Sequence, residues 1–185
     1  MKRIAILLAN GFEDGEALFP TDVLRRAGFQ ADLIGVTGDV VTSAHGLKVM
    51  ADRGMGEDLK AYDMVILPGG MPGAANLRDD DRVIDLVRTL NADGREVAAI
   101  CAAPIALARA GVISGRRITS YPEDAFKKEF TAATWVDEPV VTDGNITTAQ
   151  GPAMSLPFAY TLVEKLGGDA ESLREGMRYN RMLRG

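Results

Sequence analysis

The chain has 185 residues, of which 46% are hydrophobic and 25% are charged, a composition typical of a globular protein rather than a disordered one. The 21 Lys and Arg residues are outnumbered by 26 Asp and Glu residues, so the formal net charge is −5. We expect no nucleic-acid partner and no membrane partner, because no basic cluster offers a surface for phosphate groups. The length predicts a single domain over residues 1–185.

Local features exclude several further classes of protein. Residues 97–108 form the longest mostly apolar stretch, which is too short to span a bilayer and contains a proline. The apolar run after Lys2 and Arg3 stops at Asn10, before a signal-peptide core is complete, so we expect a cytoplasmic protein. One cysteine excludes an internal disulfide and one histidine excludes a multi-histidine metal motif, so we expect neither a metal nor another cofactor.

Apolar runs of strand length alternate with helical patterns along the chain. Their continuous apolar character predicts strands covered on both faces, as in a parallel sheet, at residues 3–9, 30–36, 63–68, 96–101 and 117–121. Apolar residues on a helical period predict helices at residues 16–27, 80–91 and 152–166. This alternation predicts an α/β fold of flavodoxin-like type, with a doubly wound, mainly parallel sheet as the middle layer of a three-layer sandwich.

Two pairs of shorter runs predict β-hairpins. Residues 40–42 and 47–51 predict a hairpin at the edge of the sheet. Residues 140–142 and 145–149 flank Asp143-Gly144, a strong signal for a two-residue turn. Ligands of a doubly wound sheet bind beyond the carboxyl ends of its parallel strands, so the residues that follow these ends are the first candidates for a functional site.

Cys101 lies at the junction between a predicted strand and the helix-like segment AAPIALARAG. At such a turn the free N–H groups and the dipole of the helix favour a thiolate, so we predict a reactive cysteine with a lowered pKa. The position has the geometry of a nucleophile elbow, although the GxSxG motif is absent. The alternative is a buried cysteine that acts only as a small apolar residue.

Two more groups can share the crevice at Cys101. Glu16 is one of three acidic residues before the first helix, where the helix dipole alone accounts for acids, but it can also lie beside Cys101 and share protons with it. The segment LPGGMPGAANL lets backbone N–H groups turn inward, and the N–H groups of Gly70 and Ala102 are candidates for an oxyanion hole. The alternative for this segment is a plain strand-to-helix turn.

The chain resembles the ThiJ/PfpI superfamily, and most closely its short DJ-one (Parkinson-protein) branch, in the segments KRIAILLANGFEDGEALFPTDVLRRAG, DMVILPGGMPGAANL, VAAICAAPIALARAG and TTAQGPAMSLPFAYTLVEKLGG. The match extends from the first strand to beyond Gly168. The resemblance implies that Cys101 is the nucleophile, that Glu16 is its partner carboxyl, and that Gly70 and Ala102 supply the oxyanion-hole amides. It also implies a homodimer.

Several positions depart from the pattern of the family it resembles. Ala102 stands where the intracellular-protease branch has a histidine, which disfavours a Cys-His peptidase. Tyr121 stands where the DJ-one branch brings a histidine to the pocket, and Gln150 stands where an arginine is common. Pro152 matches a proline near the cysteine pocket. The predicted substrate-binding residues are Tyr121, Gln150, Gly151 and Pro152.

The resemblance implies a cysteine-dependent enzyme that acts on small reactive carbonyls without glutathione, as a glyoxalase or a deglycase. The main alternative is a non-catalytic redox sensor or holdase chaperone of the oxidative-stress response, in which Cys101 is oxidised. A cysteine peptidase and a thiamine-precursor enzyme are weaker alternatives, the latter because the phosphate-loop motifs are absent. His45 is interpreted as a polar turn residue rather than a catalytic one.

Overall fold

The computed structural model describes residues 1–184, and Gly185, the last residue of the predicted domain, lies outside the described residues. The strands are β1 (Arg3–Leu8), β2 (Gln30–Gly35), β3 (Val40–Thr42), β4 (Lys48–Met50), β5 (Arg53–Gly54), β6 (Met64–Leu67), β7 (Glu96–Ile100), β8 (Arg117–Ile118), β9 (Thr134–Trp135), β10 (Val140–Asp143) and β11 (Ile146–Ala149). The helices are α1 (Asp14–Arg26), α2 (Gly73–Asp79), α3 (Asp81–Ala92), α4 (Pro104–Ala110), α5 (Asp124–Lys127), α6 (Ser155–Lys165), α7 (Ala170–Gly176) and α8 (Tyr179–Leu183).

The central sheet has seven strands in the order β10-β11-β7-β6-β1-β2-β5. Its neighbouring strands are parallel except in the β10–β11 hairpin. Ile4 of β1 lies between Ala31 of β2 and Met64 of β6. The prediction of a doubly wound, mainly parallel sheet of flavodoxin-like type is confirmed. The order of the strands reverses between β1 and β6, and ligands of such sheets bind in the crevice at this point.

The two faces of the sheet are both covered, which explains why its strands are continuously apolar. Every side chain from Ile4 to Leu8 of β1 is fully buried. Ile4, Ile6 and Leu8 pack in a cluster with apolar residues of α1 and α6. Ala5 and Leu7 point to the other face and pack with apolar residues of α2, α3 and α4. The result is a three-layer sandwich with one core on each side of the sheet.

Two predicted strand positions differ in the structure. The β3–β4 hairpin forms, but as a separate two-stranded sheet, and β5 takes the predicted edge position beside β2. The strand predicted at residues 117–121 is reduced to β8, which pairs with β9 outside the central sheet, because β11 occupies the place beside β7. Thr119 donates its backbone N–H to Thr148 Oγ1 at 2.9 Å instead of entering a ladder.

The three predicted helices are confirmed with small shifts of their ends. Residues 152–166 begin as a 3₁₀ turn, Pro152–Met154, before α6. Asp80 caps α3 by accepting a 2.9 Å hydrogen bond from the backbone N–H of Arg82. The short helices α2, α5 and α7 were not predicted. Helix α8 lies in the C-terminal segment RYNRMLRG, whose basic residues suit a solvent-exposed helix end. No helix within residues 1–184 is both long enough and apolar enough to cross a membrane.

Candidate active site

Cys101 occupies a sharp turn directly after β7. Its φ angle is 63°, in the left-handed region that side chains larger than glycine rarely adopt, at a cost on the order of 1–3 kcal/mol. Two hydrogen bonds hold this conformation: the Cys101 N–H donates to the carbonyl of Ala149 at 2.9 Å, and the Cys101 carbonyl accepts from the N–H of Tyr121 at 2.8 Å. The predicted elbow geometry is therefore present, and the backbone groups of Ala149, at the end of β11, and of Tyr121 maintain it.

Glu16 lies beside Cys101, as the sequence predicted. Its side chain is completely buried although it belongs to the first turn of α1. Glu16 Oε2 accepts a 2.8 Å hydrogen bond from the backbone N–H of Gly69, whereas Oε1 has no hydrogen-bond partner among residues 1–184. A Cβ atom placed on Gly69 would lie 2.7 Å from Glu16 Oε2 and 2.6 Å from Cys101 Cβ. Only glycine at position 69 leaves room for both side chains.

Burial raises the pKa of the Glu16 carboxyl to about 7, since the charged form loses its hydration. Hydrogen bonding to Cys101 and to the N–H of Gly69 opposes this shift in pKa, and the charge of Glu13 adds to it. A carboxyl group that titrates near neutral pH can both accept and return a proton, which is the property required of a general base.

The pKa of the Cys101 thiol is raised to about 12, first by burial and then by the charge and hydrogen bond of Glu16. The backbone N–H groups of Gly70 and Ala102 oppose this rise but do not overcome it. The predicted lowered pKa is therefore wrong for the state in which Glu16 is ionised. Burial beside a carboxylate outweighs the dipole of α4, a helix of only seven residues that begins three residues after Cys101.

Replacing Glu16 with glutamine is expected to lower the pKa of Cys101, because the negative charge beside the sulfur disappears. Alkylation by iodoacetamide, followed by intact-mass spectrometry across a pH series, measures this directly, since the chain has one cysteine. The variant should react faster than the wild type at each pH between about 7, where Glu16 ionises, and the wild-type midpoint. Glu57→Gln, an exposed change of the same kind, serves as the control and should react like the wild type. Equal rates in wild type and Glu16→Gln over this pH range would contradict the prediction.

The two predicted oxyanion-hole amides are positioned at the cysteine. Gly70 has a φ angle of 83°, and a Cβ atom at this position would lie 2.4 Å from the backbone nitrogen of Glu13, so glycine is required. Gly70 and Ala102 both line the cavity that contains Cys101. Neither donates to a backbone carbonyl within residues 1–184, so both are available to an oxygen atom bound next to the sulfur.

A cavity of about 160 Å³ opens at the Cys101 sulfur and is lined by Gly70, Met71, Cys101, Ala102, Tyr121, Glu123 and Phe126. Tyr121 is 45% exposed and forms part of its wall. An adjacent cavity of about 240 Å³ shares Tyr121 and is lined also by Pro122, Gln150, Gly151, Pro152, Ala153 and Met154. Of the four predicted substrate-binding residues, the structure brings Tyr121 to the cysteine and places the other three in the second cavity.

Gln150 and His45 are both engaged away from the sulfur. The Gln150 side-chain amide donates to Asp137 at 2.7 Å, so it does not point a donor into the Cys101 cavity. His45 Nδ1 lies 2.7 Å from Asp14 Oδ2, and this contact ties the turn between β3 and β4 to the start of α1. The hydrogen bond to Asp14 raises the pKa of His45. This geometry agrees with the interpretation of His45 as a polar turn residue.

The paired glycines of LPGG were predicted to bring backbone N–H groups into the crevice, and Gly69 and Gly70 lie there. Sequence reasoning missed three residues of the site, and the first of them, Met71, directly follows Gly70. Glu123 and Phe126 come from the segment around α5, which has no periodic pattern that would place it over a strand end. Their position in the site follows from the tertiary fold alone.

Comparisons with known proteins identify the family of this chain. Residues 2–165 match the model of the DJ-1/PfpI family. The chain is 36% identical to protein dj-1beta of Drosophila melanogaster over 169 residues, which cover 90% of each chain. It is 33% identical over 151 residues to a protein named deglycase from Pyrococcus abyssi, covering 81% of this chain and 90% of that protein.

A solved structure shares the whole fold. The crystal structure of a DJ-1 superfamily protein from Salmonella typhimurium matches with a TM-score of 0.90 and 34% sequence identity, and the match covers 96% of this chain and 98% of that one. The family model spans most of the sequence, including the positions of Cys101 and Glu16. The chain therefore belongs to the DJ-1/PfpI family.

Proposed function

We propose that the protein is a cysteine-dependent enzyme that converts small reactive carbonyls, such as methylglyoxal, without glutathione. The observation that carries the proposal is the combination at one cavity of a thiol, a buried carboxyl with a pKa of about 7, and two free backbone N–H groups. The similarity to a protein named deglycase supports carbonyl chemistry of this kind. A cavity of about 160 Å³ suits a ligand of few atoms.

The first step is addition of the Cys101 sulfur to the aldehyde carbon of methylglyoxal. A carbon–sulfur bond forms, the thiol proton passes to the Glu16 carboxylate, and the aldehyde oxygen becomes an oxyanion held by the Gly70 and Ala102 N–H groups. Return of the proton from Glu16 to this oxygen gives a neutral hemithioacetal. Because the pKa of Cys101 is high while that of Glu16 is near 7, the thiol needs this carboxylate as its base.

The second step moves a hydrogen between the two adjacent carbons of the substrate. Glu16 removes the proton from the carbon bound to sulfur and returns it to the former ketone carbon, while the hydroxyl proton passes to the ketone oxygen. The product is a thioester of lactate on Cys101. Attack by water then breaks the carbon–sulfur bond, releases lactate and restores the thiol.

We expect this turnover to be slow. Tyr121 stands where a histidine would assist proton transfer, and Gln150, which is bound to Asp137, stands where an arginine would hold an anionic product. Loss of one general acid or base typically costs about 10²- to 10⁴-fold in rate.

A substrate panel tests the proposal against its alternatives. Wild type and Cys101→Ser are each assayed with dicarbonyls, amides and peptides, all without glutathione. Conversion of dicarbonyls by the wild type alone supports the proposal. Cleavage of amides or peptides with no dicarbonyl conversion would overturn it in favour of a hydrolase or peptidase.

The second candidate function is that of a redox sensor or holdase chaperone in which Cys101 is oxidised. The Cys101 sulfur reaches a cavity, and no second cysteine exists to form a disulfide. Mild peroxide is therefore expected to produce a sulfinic acid. Glu16→Leu should hinder this step, since it removes the carboxyl proton that can bond to a new sulfur-bound oxygen. Intact-mass spectrometry showing the same yield of sulfinic acid in both proteins would contradict a role for Glu16.

A homodimer is expected from the family resemblance, and α1 and the β3–β4 hairpin carry exposed apolar side chains. Phe19 of α1 and Val40, Leu47 and Met50 of the β3–β4 hairpin are each about half exposed or more. These side chains are candidates for a self-complementary interface with two-fold symmetry. Light scattering should give twice the 19.8 kDa mass of one chain, and a mass near 19.8 kDa would refute the dimer.

A further inference from the structure

Among the residues that line the cavity at Cys101, Glu123 is the one that carries a charge. Glu123 lines the cavity, is exposed, and its carboxylate has no hydrogen-bond or salt-bridge partner within residues 1–184. Glu16 provides a second carboxyl group on the inner side of the sulfur. Within the described part of the chain, none of the residues that line this cavity is Lys, Arg or His. A charged ligand in this cavity therefore meets one carboxylate and no side-chain cation of the described residues, whereas the Gly70 and Ala102 N–H groups face only an oxygen atom bound next to the sulfur.

The neighbouring polar groups contact residues that do not line the Cys101 cavity. Lys127, next in sequence to the cavity residue Phe126, places its Nζ 3.9 Å from the ring centre of Trp135. Arg117 is paired with Glu138 at 2.6 Å. The Gln150 amide is occupied by Asp137, as described above, so the second cavity likewise offers no lining cation in the described residues.

We propose that the Cys101 cavity accepts neutral and cationic compounds and discriminates against carboxylate-bearing ones, with Glu123 as the residue that determines this specificity. As a statement about substrates it rests on the proposed function, in which a neutral dicarbonyl enters and a carboxylate leaves. The Glu123 carboxylate, which repels an anionic substrate, also weakens the binding of an anionic product. Glu123 therefore also favours product release.

Covalent labelling of Cys101 tests the proposal without any turnover. The probes are three methanethiosulfonates with the same ethyl linker, which carry a neutral hydroxyethyl, a cationic aminoethyl or an anionic sulfonatoethyl group. The Cys101 thiolate attacks the thiosulfonate sulfur, a disulfide forms, and methanesulfinate leaves. Dividing the rates of the charged probes by that of the neutral one removes any change in the thiolate fraction.

In the wild type the cationic probe is expected to react faster than the anionic probe after this normalisation. Glu123→Gln should reduce the cation-to-anion ratio about three- to tenfold, as expected for one charge at several ångströms in a wet cavity, and Glu123→Lys should reduce it further. The ratio should also fall as salt is added. Glu57→Gln is the matched control, because Glu57 lies in the 3₁₀ turn before the amino end of β6, remote from the cavity.

An unchanged ratio in Glu123→Gln, or a wild-type preference for the anionic probe, would overturn the proposal. Folding of the exposed-site variants is checked by circular dichroism. A charge preference in labelling without methylglyoxal turnover would refute only the proposed reaction. Turnover without a charge preference would refute only the role of Glu123.

Discussion

The free energy of unfolding of the wild-type protein is expected to fall by about 3 kcal/mol, relative to that of Glu16→Gln, as the pH rises from 4.5 to above 7. The buried carboxyl of Glu16 has a pKa of about 7 in the folded protein and its ordinary value of 4.5 in the unfolded chain. Between these values the folded state holds a proton that the unfolded state has lost. The stabilisation by the neutral carboxyl is therefore complete below pH 4.5 and is lost as Glu16 ionises.

Chemical denaturation of both proteins at about pH 5 and about pH 8 measures this effect. Glu16→Gln should gain in relative stability at the higher pH, since its amide stays neutral. Glu57→Gln, an exposed change of the same kind, should show no such difference. A stability difference between wild type and Glu16→Gln that is the same at both pH values would contradict the assigned pKa.

Turnover of methylglyoxal by Glu16→Gln is expected to be about 10²- to 10⁴-fold slower than by the wild type, the usual loss when a general base is removed. In the wild type, kcat/KM should rise as the pH increases through about 7, because only ionised Glu16 accepts the thiol proton. The same variant should be alkylated faster, so nucleophilicity and turnover change in opposite directions. A purely structural role of Glu16 would lower both.

Measurement of kcat/KM across the pH range in wild type and Glu16→Gln separates these cases. A wild-type profile that is flat or that falls through pH 7 would contradict the role of the carboxylate as base. Equal alkylation rates combined with lost turnover would indicate instead that the substitution disturbs the cavity.

The fold was predictable where the pattern of apolar residues indicates which strands are buried. The uninterrupted apolar residues of β1 and β7 are explained only by strands covered on both faces, so the parallel sheet followed directly. The apolar pattern does not indicate which strand pairs with which. The segment around Ile118 has the composition of a strand, but competition with β11 for the place beside β7 excluded it from the central sheet.

The chemistry of the candidate site was predictable only in part. Cys101, Glu16 and Gly70 follow or face the carboxyl ends of parallel strands, where topology alone concentrates functional residues. The depth of burial that raises the pKa of Cys101 depends on packing from several elements, and no local pattern reports it. Glu123 reaches the cavity from a segment without periodicity, so its place in the lining became visible only in the structure.

Lactate formation from methylglyoxal without glutathione, compared between wild type and Cys101→Ala, tests the central claim most directly. The alanine side chain fits the space of the cysteine but cannot form the carbon–sulfur bond on which every later step depends. We expect the wild type to form lactate above the uncatalysed rate and Cys101→Ala to match that background. Background rates in both proteins, or equal catalysis by both, would contradict the assignment of Cys101 as the nucleophile of a carbonyl-converting enzyme.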